Sequence, residues 1–559
     1  MALPAGAVRR VLAVWPLLTV LWCGAQTVSP EPVHKLPPFV VTEAPEELPW
    51  QYGAVDGFEV LSLSDEYLTR NVLQAYRRGS GFVPPGLLEE RSAPVQFVFW
   101  EGGAVQVAPA TKVDRPDGSW TYRGFIDRSD RDRLLIAANL NRIYHYDSVN
   151  TDLALWFLRE RTPPLPAWLL VGLEGRWGAW AHLNIMVRWE GEAKLRYHVT
   201  DRIKTKRLNE HADFRELMAR REGFTPWAEF FGALPPDESV APEQRARWDL
   251  QAGIFVRWAQ FGDGNTGKRA LAFWRFVAEA ANGPVTEAMF VRAFGMNFAR
   301  ADAELRRYLR RAAAQDDFIE VPRLGRDLEE FKEFHLRSAT EGEVARLKGN
   351  FERMEMNALR ATHPDLAAKY EQAVRRTIRR GLRLAAADAR VHELAGLVEY
   401  ETGHLAAARP HLEYAFAHAG AGTRALLALA RVRLADLSAG LAAGDRLPAE
   451  VVERMLTPLF SAKDKRPALA EVYQCIGEVW ERSAIAPRRG HLAVIAEGVA
   501  LFPDDLELRL QAVRLHHLHG FEREAAALAA EGARRTSRAE WRARFAQWRA
   551  RGSPTQPPP

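Results

Sequence analysis

The residues with the best claim to chemistry lie between Arg142 and Trp189. His145-Tyr146-Asp147-Ser148-Val149 is the nearest approach to a zinc-hydrolase helix. That chemistry needs two histidines at i and i+4 on one helix face, and a glutamate to take a proton from the metal-bound water. His145 supplies one of the three. Tyr146 stands where the general base belongs and Val149 where the second histidine belongs. His392-Glu393-Leu394-Ala395-Gly396 has the first two residues and fails at its last. Glu174 and His182 could join His145 as rearranged ligands, but count and spacing both fall short of a metal site. Asp147 and Asp152 could act as acid and base in another hydrolase, and nothing in the pattern pairs them.

Three further patterns have plainer readings. Gly262-Asp263-Gly264-Asn265-Thr266-Gly267-Lys268 almost spells a phosphate-binding loop, but Arg269 stands where Ser or Thr must hold magnesium. The residues before it have helical rather than strand spacing, so the run reads as a turn between helices. Trp156, Trp168, Trp177, Trp180 and Trp189 could stack on sugars; most sit at core phases and read as packing. Arg534, Arg535, Arg538, Arg542, Arg544, Arg549 and Arg551 make a basic last helix. Trp541, Phe545 and Trp548 fall at four- and three-residue steps within it, and this stripe reads as a cap docked on the preceding helices. Binding to a membrane surface or an anionic polymer is the sharper alternative.

The elements that position the first group are two helices and a strand. Ile143, Tyr146, Val149, Leu153 and Trp156 recur at three- and four-residue steps, predicting a helix over 142–158. Pro163, Pro164 and Pro166 break the chain and start the second helix. This frame resembles secreted bacterial proteins with a peptidase MA-like (gluzincin) domain followed by helical repeats. Pro166, Trp168, Leu169, Gly172 and Leu173 match that family's second helix. Glu287 to Asn297, with Leu305 and Tyr308, resembles its closing helices. The resemblance implies that the third zinc ligand belongs at Val171, where a valine cannot bind metal. Glu174 lies three residues on, facing nearly the same side. The degenerate positions are therefore His145, Tyr146, Val149, Val171 and Glu174, with no catalytic residue, no metal and no cofactor expected.

The chain has 559 residues, enough for several domains, with a formal charge of +5. Residues 1–25 resemble a secretory signal: Arg9 and Arg10, an apolar run from Val11 to Trp22, then small residues to Ala25. Without Arg9 and Arg10 the charge is +5 less 2, or +3, which gives no basis for nucleic-acid binding. Cleavage would leave Cys475 as the one cysteine, so no internal disulfide is expected. Lipidation of Cys23 is the alternative. Residues 26–49 form a Pro-rich linker, 50–312 the degenerate peptidase-like domain and 313–339 a second linker. Within 50–312, strands are expected at 57–63, 94–100, 104–107, 120–126, 134–137, 182–189 and 194–199. Ser64 and Asp65 cap a helix through Tyr76.

From 340 to 551 the chain reads as helical repeats. Gly396, Gly403, Ala408, Leu412 and Ala415 fall in phase with the 34-residue tetratricopeptide unit, and Gly520 and Ala525 repeat the frame. Glu399 and Gly420 depart from it. Because repeats contact mainly their neighbours, a fragment from Asp327 to Arg551 is expected to fold alone. Residues 552–559 are a disordered Pro-rich tail. The fold class is thus an α+β gluzincin-like domain followed by an all-α tetratricopeptide-like solenoid. The expected function is an exported, non-catalytic scaffold, periplasmic or secreted, that binds a protein or peptide through its repeats. It has no nucleic-acid partner and no membrane span after the leader. A metal-dependent hydrolase with rearranged ligands and a cell-wall polysaccharide binder are the rivals.

Overall fold

Strand Val95–Trp100 is buried along its whole length, and its apolar and aromatic run, interrupted by Gln96, suits a central strand covered on both faces. Around it the computed structural model builds a six-stranded mixed sheet. The strands are β1 (Gln51–Val55), β2 (Phe58–Ser62), β3 (Val95–Trp100), β6 (Phe125–Ser129), β7 (Leu134–Asn139) and β12 (Arg337–Ser338). Their order is β12-β1-β2-β3-β7-β6, with β2, β3 and β7 parallel and the outer pairs antiparallel. The structure describes residues 49–55, 57–80, 91–101, 112–114, 120–122, 125–140, 155–180, 187–190, 194–197, 201–204, 224–232, 241–261, 268–281, 283, 285–314, 318–321, 334–440, 445–536 and 538–551. The expected leader at 1–25, the strand at 104–107 and the tail at 552–559 lie outside them.

Alternation along the strands sorts the two faces. Val60, Phe97, Phe99, Leu134 and Ile136 pack on helix α1 (Glu66–Ser80) through Val72, Leu73 and Tyr76. Asp65 caps α1, its Oδ1 accepting from the Leu68 amide at 2.7 Å. The opposite face carries Glu59, Leu61, Gln96 and Val98, all buried. One strand expectation needs correction. Residues 120–126 form two strands, not one: β5 (Trp120–Tyr122) pairs with β4 (Lys112–Asp114), while Phe125 opens β6 in the main sheet. Gly124 falls between them, where a glycine weakens a continuous strand. The stretch 313–339, expected to link the two parts, carries two strands among the described residues. Within it β11 (Phe318–Val321) pairs with β10 (Asp201–Lys204), and β12 extends the main sheet by hydrogen bonding to β1. A separate ribbon joins β8 (Val187–Glu190) to β9 (Lys194–Tyr197).

A helical cluster with an aromatic centre follows. It contains α2 (Ala167–Trp180), α3 (Trp227–Gly232), α4 (Pro242–Phe261), α5 (Lys268–Ala280), α6 (Glu287–Phe294) and α7 (Phe298–Ala314). Trp168, 1 % exposed, sits among Phe231, Phe255 and Phe276 with ring centroids 5.3, 5.4 and 5.8 Å away. That burial removes it from any sugar-stacking surface. Gly172 lets α2 touch α4: a Cβ there would lie 2.7 Å from the Ala252 carbonyl oxygen. The glycine-rich run at 262–267 is flanked by α4 and α5, so helices stand on both sides of it.

The remaining helices are α8 (Glu341–Leu359), α9 (Pro364–Leu384), α10 (Ala389–Glu401), α11 (Leu405–Ala417), α12 (Thr423–Gly440), α13 (Ala449–Lys463), α14 (Ala470–Glu481), α15 (Arg489–Leu501), α16 (Leu506–Leu518), α17 (Glu522–Arg534) and α18 (Ala539–Arg551). They pack as consecutive pairs, and the first helices α8, α10, α12, α14 and α16 stack on one another in a row. The residues read as a repeat frame hold the pairs together. A Cβ at Gly396 would meet Leu412 at 2.6 Å, and Ala408, Leu412 and Ala415 are buried. Gly403 and Gly520 take the left-handed conformation between paired helices, at φ 86° and 79°. The two departures have local reasons. Glu399 pairs with Arg375 of the preceding pair at 2.6 Å, and Gly420 abuts Ala389 too closely for a side chain.

Helix α18 closes the row. Phe545 is fully buried against Leu510, Val513, Ala525 and Ala529, flanked by Trp541 and Trp548. The apolar stripe is thus engaged in packing rather than free for a membrane surface. Phe545→Ala is expected to cost about 3–5 kcal/mol. Because α18 touches only its neighbours, hydrogen exchange should quicken there first and leave α8 to α12 unchanged.

Candidate functional site

The zinc-like positions are described only in part. His145, Tyr146 and Val149 lie outside the described residues, as does His182. Val171 and Glu174 fall on α2. Val171 is half-buried and packs against the aromatic cluster; the side chain of Glu174 lies outside the described residues. Among the described residues no group of three or more His, Cys, Asp or Glu is placed to hold a metal ion. The second near-motif is put to other use. Glu393 is buried, pairs with Arg133 and accepts the Gly422 amide at 2.6 Å. His392 shares an Nδ1–Nδ1 contact of 3.0 Å with His411.

What the structure does assemble is a charged seat where the sheet meets the first helices of the row. The turn between β6 and β7, Asp130 to Arg133, is drawn tight. The Arg133 amide donates to Asp130 Oδ1 at 2.9 Å, and Arg131 takes φ 67°, a costly region for a non-glycine residue. The turn delivers three charged side chains onto α8, α10 and α12. Asp130 pairs with Arg353 of α8 and lies 3.6 Å from Arg424 of α12. Arg133 pairs with Glu393 of α10. Asp132 caps α12, its two oxygens accepting the Thr423 and Arg424 amides at 3.2 and 3.3 Å. Those amides are orphan donors of a helix start, and a carboxylate there also meets the positive end of the dipole.

The sheet face beside this turn completes the seat. Gln96 accepts from Asn350 of α8 at 2.7 Å, with both side chains buried. Glu59 accepts from Arg346 at 2.6 Å and from Tyr52 at 3.1 Å. Arg128 pairs with Glu355. Arg353, 1 % exposed, spans Asp130, Asn350 and Glu401. Every one of these helix partners belongs to α8, α10 or α12, the first helices of the first three pairs. The start of the first-helix row is therefore occupied by the chain's own sheet. Farther along, Ser92 and Arg466 exchange backbone and side-chain hydrogen bonds before α14. These bonds bury charges of α8, α10 and α12 against partners that the sheet supplies.

The carboxylates in the seat titrate in opposite senses. Burial would raise Asp130, but Arg353 and then Arg424 hold it below its ordinary range; Glu59 is likewise lowered, by Arg346, against its burial. Burial raises Glu355, only partly offset by Arg128, and likewise Glu160, which accepts from Ser129 beside the turn at 2.6 Å and is only partly offset by Ser129 and Arg91. A carboxylate with a depressed folded pKa adds stability above its unfolded value and loses it as pH falls through the folded one. A raised carboxylate penalises the folded state while charged, and protonation removes that penalty. Urea midpoints are thus expected to hold or rise slightly from neutrality to about pH 5, then fall steeply by about pH 3. A steady decline from neutrality would contradict this balance.

Nothing in the sequence singled out Asp130, Asp132, Arg133, Arg353 or Glu401. The only signal was the unusual charge density of Ser129-Asp130-Arg131-Asp132-Arg133, which reads most simply as a solvated turn. No helix among the described residues is long and apolar enough to cross a membrane.

The chain matches no known protein family and no curated protein. One solved structure, a thermophilic TPR protein of Thermus thermophilus, is similar over 35 % of this chain and 98 % of its own. The identity is 21 % and the TM-score 0.24.

Proposed function

We propose that this chain is an exported, non-catalytic scaffold that binds a protein or peptide along the first-helix row. In this reading the helices are tetratricopeptide-like repeats, the sheet region is a peptidase MA-like domain, and residues 1–25 are removed on export. The zinc site is degenerate at His145, Tyr146, Val149, Val171 and Glu174. One observation carries the binding role: α8, α10 and α12 already hold a polypeptide turn, Asp130 to Arg133, by charge pairing and helix capping. The same row continues through α14 and α16, and stacked helices present such a surface without a reactive residue. On that stretch Gln474, Glu478, Arg514 and His517 are partly or fully accessible.

A displayed random-peptide library panned on the full chain tests the reading. Selected peptides should bind, lose at least tenfold in affinity on Glu478→Arg with Arg514→Glu, and remain uncleaved in the presence of zinc. Cleavage that requires zinc would replace the scaffold by a metallohydrolase. Binding indifferent to both substitutions would move the partner surface elsewhere.

A further inference from the structure

Helix α9 is the second helix of its pair, and its outer face is not used by the proposed function. Its inner face is apolar: Tyr370, Val374, Ile378 and Gly381 are buried. On the opposite side stand Lys369, Arg376, Arg379 and Arg383, all exposed. Their seven-, three- and four-residue steps put them in one row, about 21 Å long. The helix carries six basic residues against two acidic ones, and the acids around it go to other cations. Glu371 and Glu399 pair with Arg375, Glu341 with Arg380 and Glu352 with Lys348. Asp388 caps α10, and Arg383 acts on Glu341 only at longer range. Asp365 lies in the first turn, at the positive end of the helix dipole. Arg379 donates to the Arg375 carbonyl oxygen at 3.3 Å, which leaves its charge uncompensated. Residues 334–440, which carry α8 to α12, are all described, and among the described residues none of the four cations holds an ion pair.

We propose that this face binds the surface of an acidic phospholipid bilayer, its four cations on the headgroups and Leu384 in the interfacial layer. Charge sets the sign of the partner, and shape selects among anions. A straight row on the outside of a helix offers no concavity for a small anion, nor the pockets that an extended acidic peptide needs. A flat anionic surface asks instead for a protruding line of long, flexible cations. Leu384, 54 % exposed, ends the same helix, and the exposed Ala386 and Ala387 follow it. Cations beside a small apolar tip are the combination that interfacial binding uses. Bound in this way, the protein keeps its first-helix row free.

Co-sedimentation of the full chain with vesicles of one part phosphatidylglycerol to two parts phosphatidylcholine tests this. Binding is expected to be about tenfold or more tighter than to pure phosphatidylcholine, and to weaken as salt is raised. Arg376→Gln with Arg379→Gln and Arg383→Gln should remove most of that preference without changing the circular dichroism spectrum, since all three side chains are exposed. Leu384→Asp should weaken binding severalfold. Arg542→Gln with Arg544→Gln, on the basic last helix, should leave it unaltered. The apolar run Val11 to Trp22 is common to every variant, so the differences between them report on α9. Polyglutamate and inorganic phosphate should compete poorly. No preference for acidic vesicles, a preference that survives the triple α9 variant or is lost in the α18 variant, or efficient competition by polyglutamate would each overturn the proposal.

Discussion

Arg353→Ala will destabilise the protein by about 3–5 kcal/mol, the loss expected when one member of a buried charge cluster is removed. The guanidinium is 1 % exposed and pairs with Asp130 and Glu401. It also donates to Asn350 Oδ1 at 3.0 and 2.9 Å. Burial alone would lower its pKa, but Glu401 and Asp130 raise it instead. Alanine leaves both carboxylates in place with their main cation gone. Asn357, which donates to Glu401 at 2.8 Å, and Arg424 beside Asp130 offset only part of the loss. The double variant Arg353→Met with Asp130→Asn removes charge from both sides. It should be less damaged than Arg353→Ala, because an apolar side chain of similar reach costs less than an uncompensated ion. Denaturant midpoints for the two variants measure this. A loss under about 1 kcal/mol for Arg353→Ala would mean that the seat is solvated and weak.

Trp168→Ala will cost a comparable amount, about 3–5 kcal/mol, by a different route. The indole fills the centre of the aromatic cluster, and its edge-on contacts with Phe231 and Phe255 add to the area it buries. Its Nε1 has no hydrogen-bond partner among the described residues, so the loss is one of packing. Trp168 stands in the first turn of α2, two residues before Leu170 and three before Val171. Loosening it should free α2 from α4, where Gly172 allows close approach. Near-ultraviolet circular dichroism should lose its aromatic signal ahead of the helical signal. Trp168→Phe should retain most of the stability, since a ring still fills the site.

The sequence was a fair guide wherever a pattern is local. The run Val95 to Trp100 is a buried strand, Asp65 caps α1, and Gly396, Gly403 and Gly520 sit where paired helices approach or turn. Trp541, Phe545 and Trp548 announce a docked helix by spacing alone. Pairings across long sequence separations were not legible. Arg337 and Ser338 form a two-residue strand with no periodicity of their own, and their partner is β1, far back in the chain. Helix α8 hides its role for a related reason. It is buried on several sides and carries Asn350, Glu352, Arg353 and Glu355 inside, so it shows no clean apolar stripe. Charges in a sequence default to solvent. Only the fold places Gln96, Asp130 and Glu401 around α8. The zinc-like positions were read from a local pattern too, and of these Val171 alone is described with its surroundings, as a packing residue.

Amide hydrogen exchange at the start of α12 shows whether the sheet permanently occupies the beginning of the first-helix row. The opening amides of a helix have no intrahelical acceptor and ordinarily exchange fast. Here Gly422 donates to Glu393 of α10, while Thr423 and Arg424 donate to Asp132 of the sheet turn. In the full chain all three should be protected to the level of β7. In Asp132→Ala the Thr423 and Arg424 amides should lose that protection while Gly422 keeps it. Thr423 and Arg424 exchanging at the rate of an uncapped helix end in the unaltered protein would show that the sheet does not hold its seat.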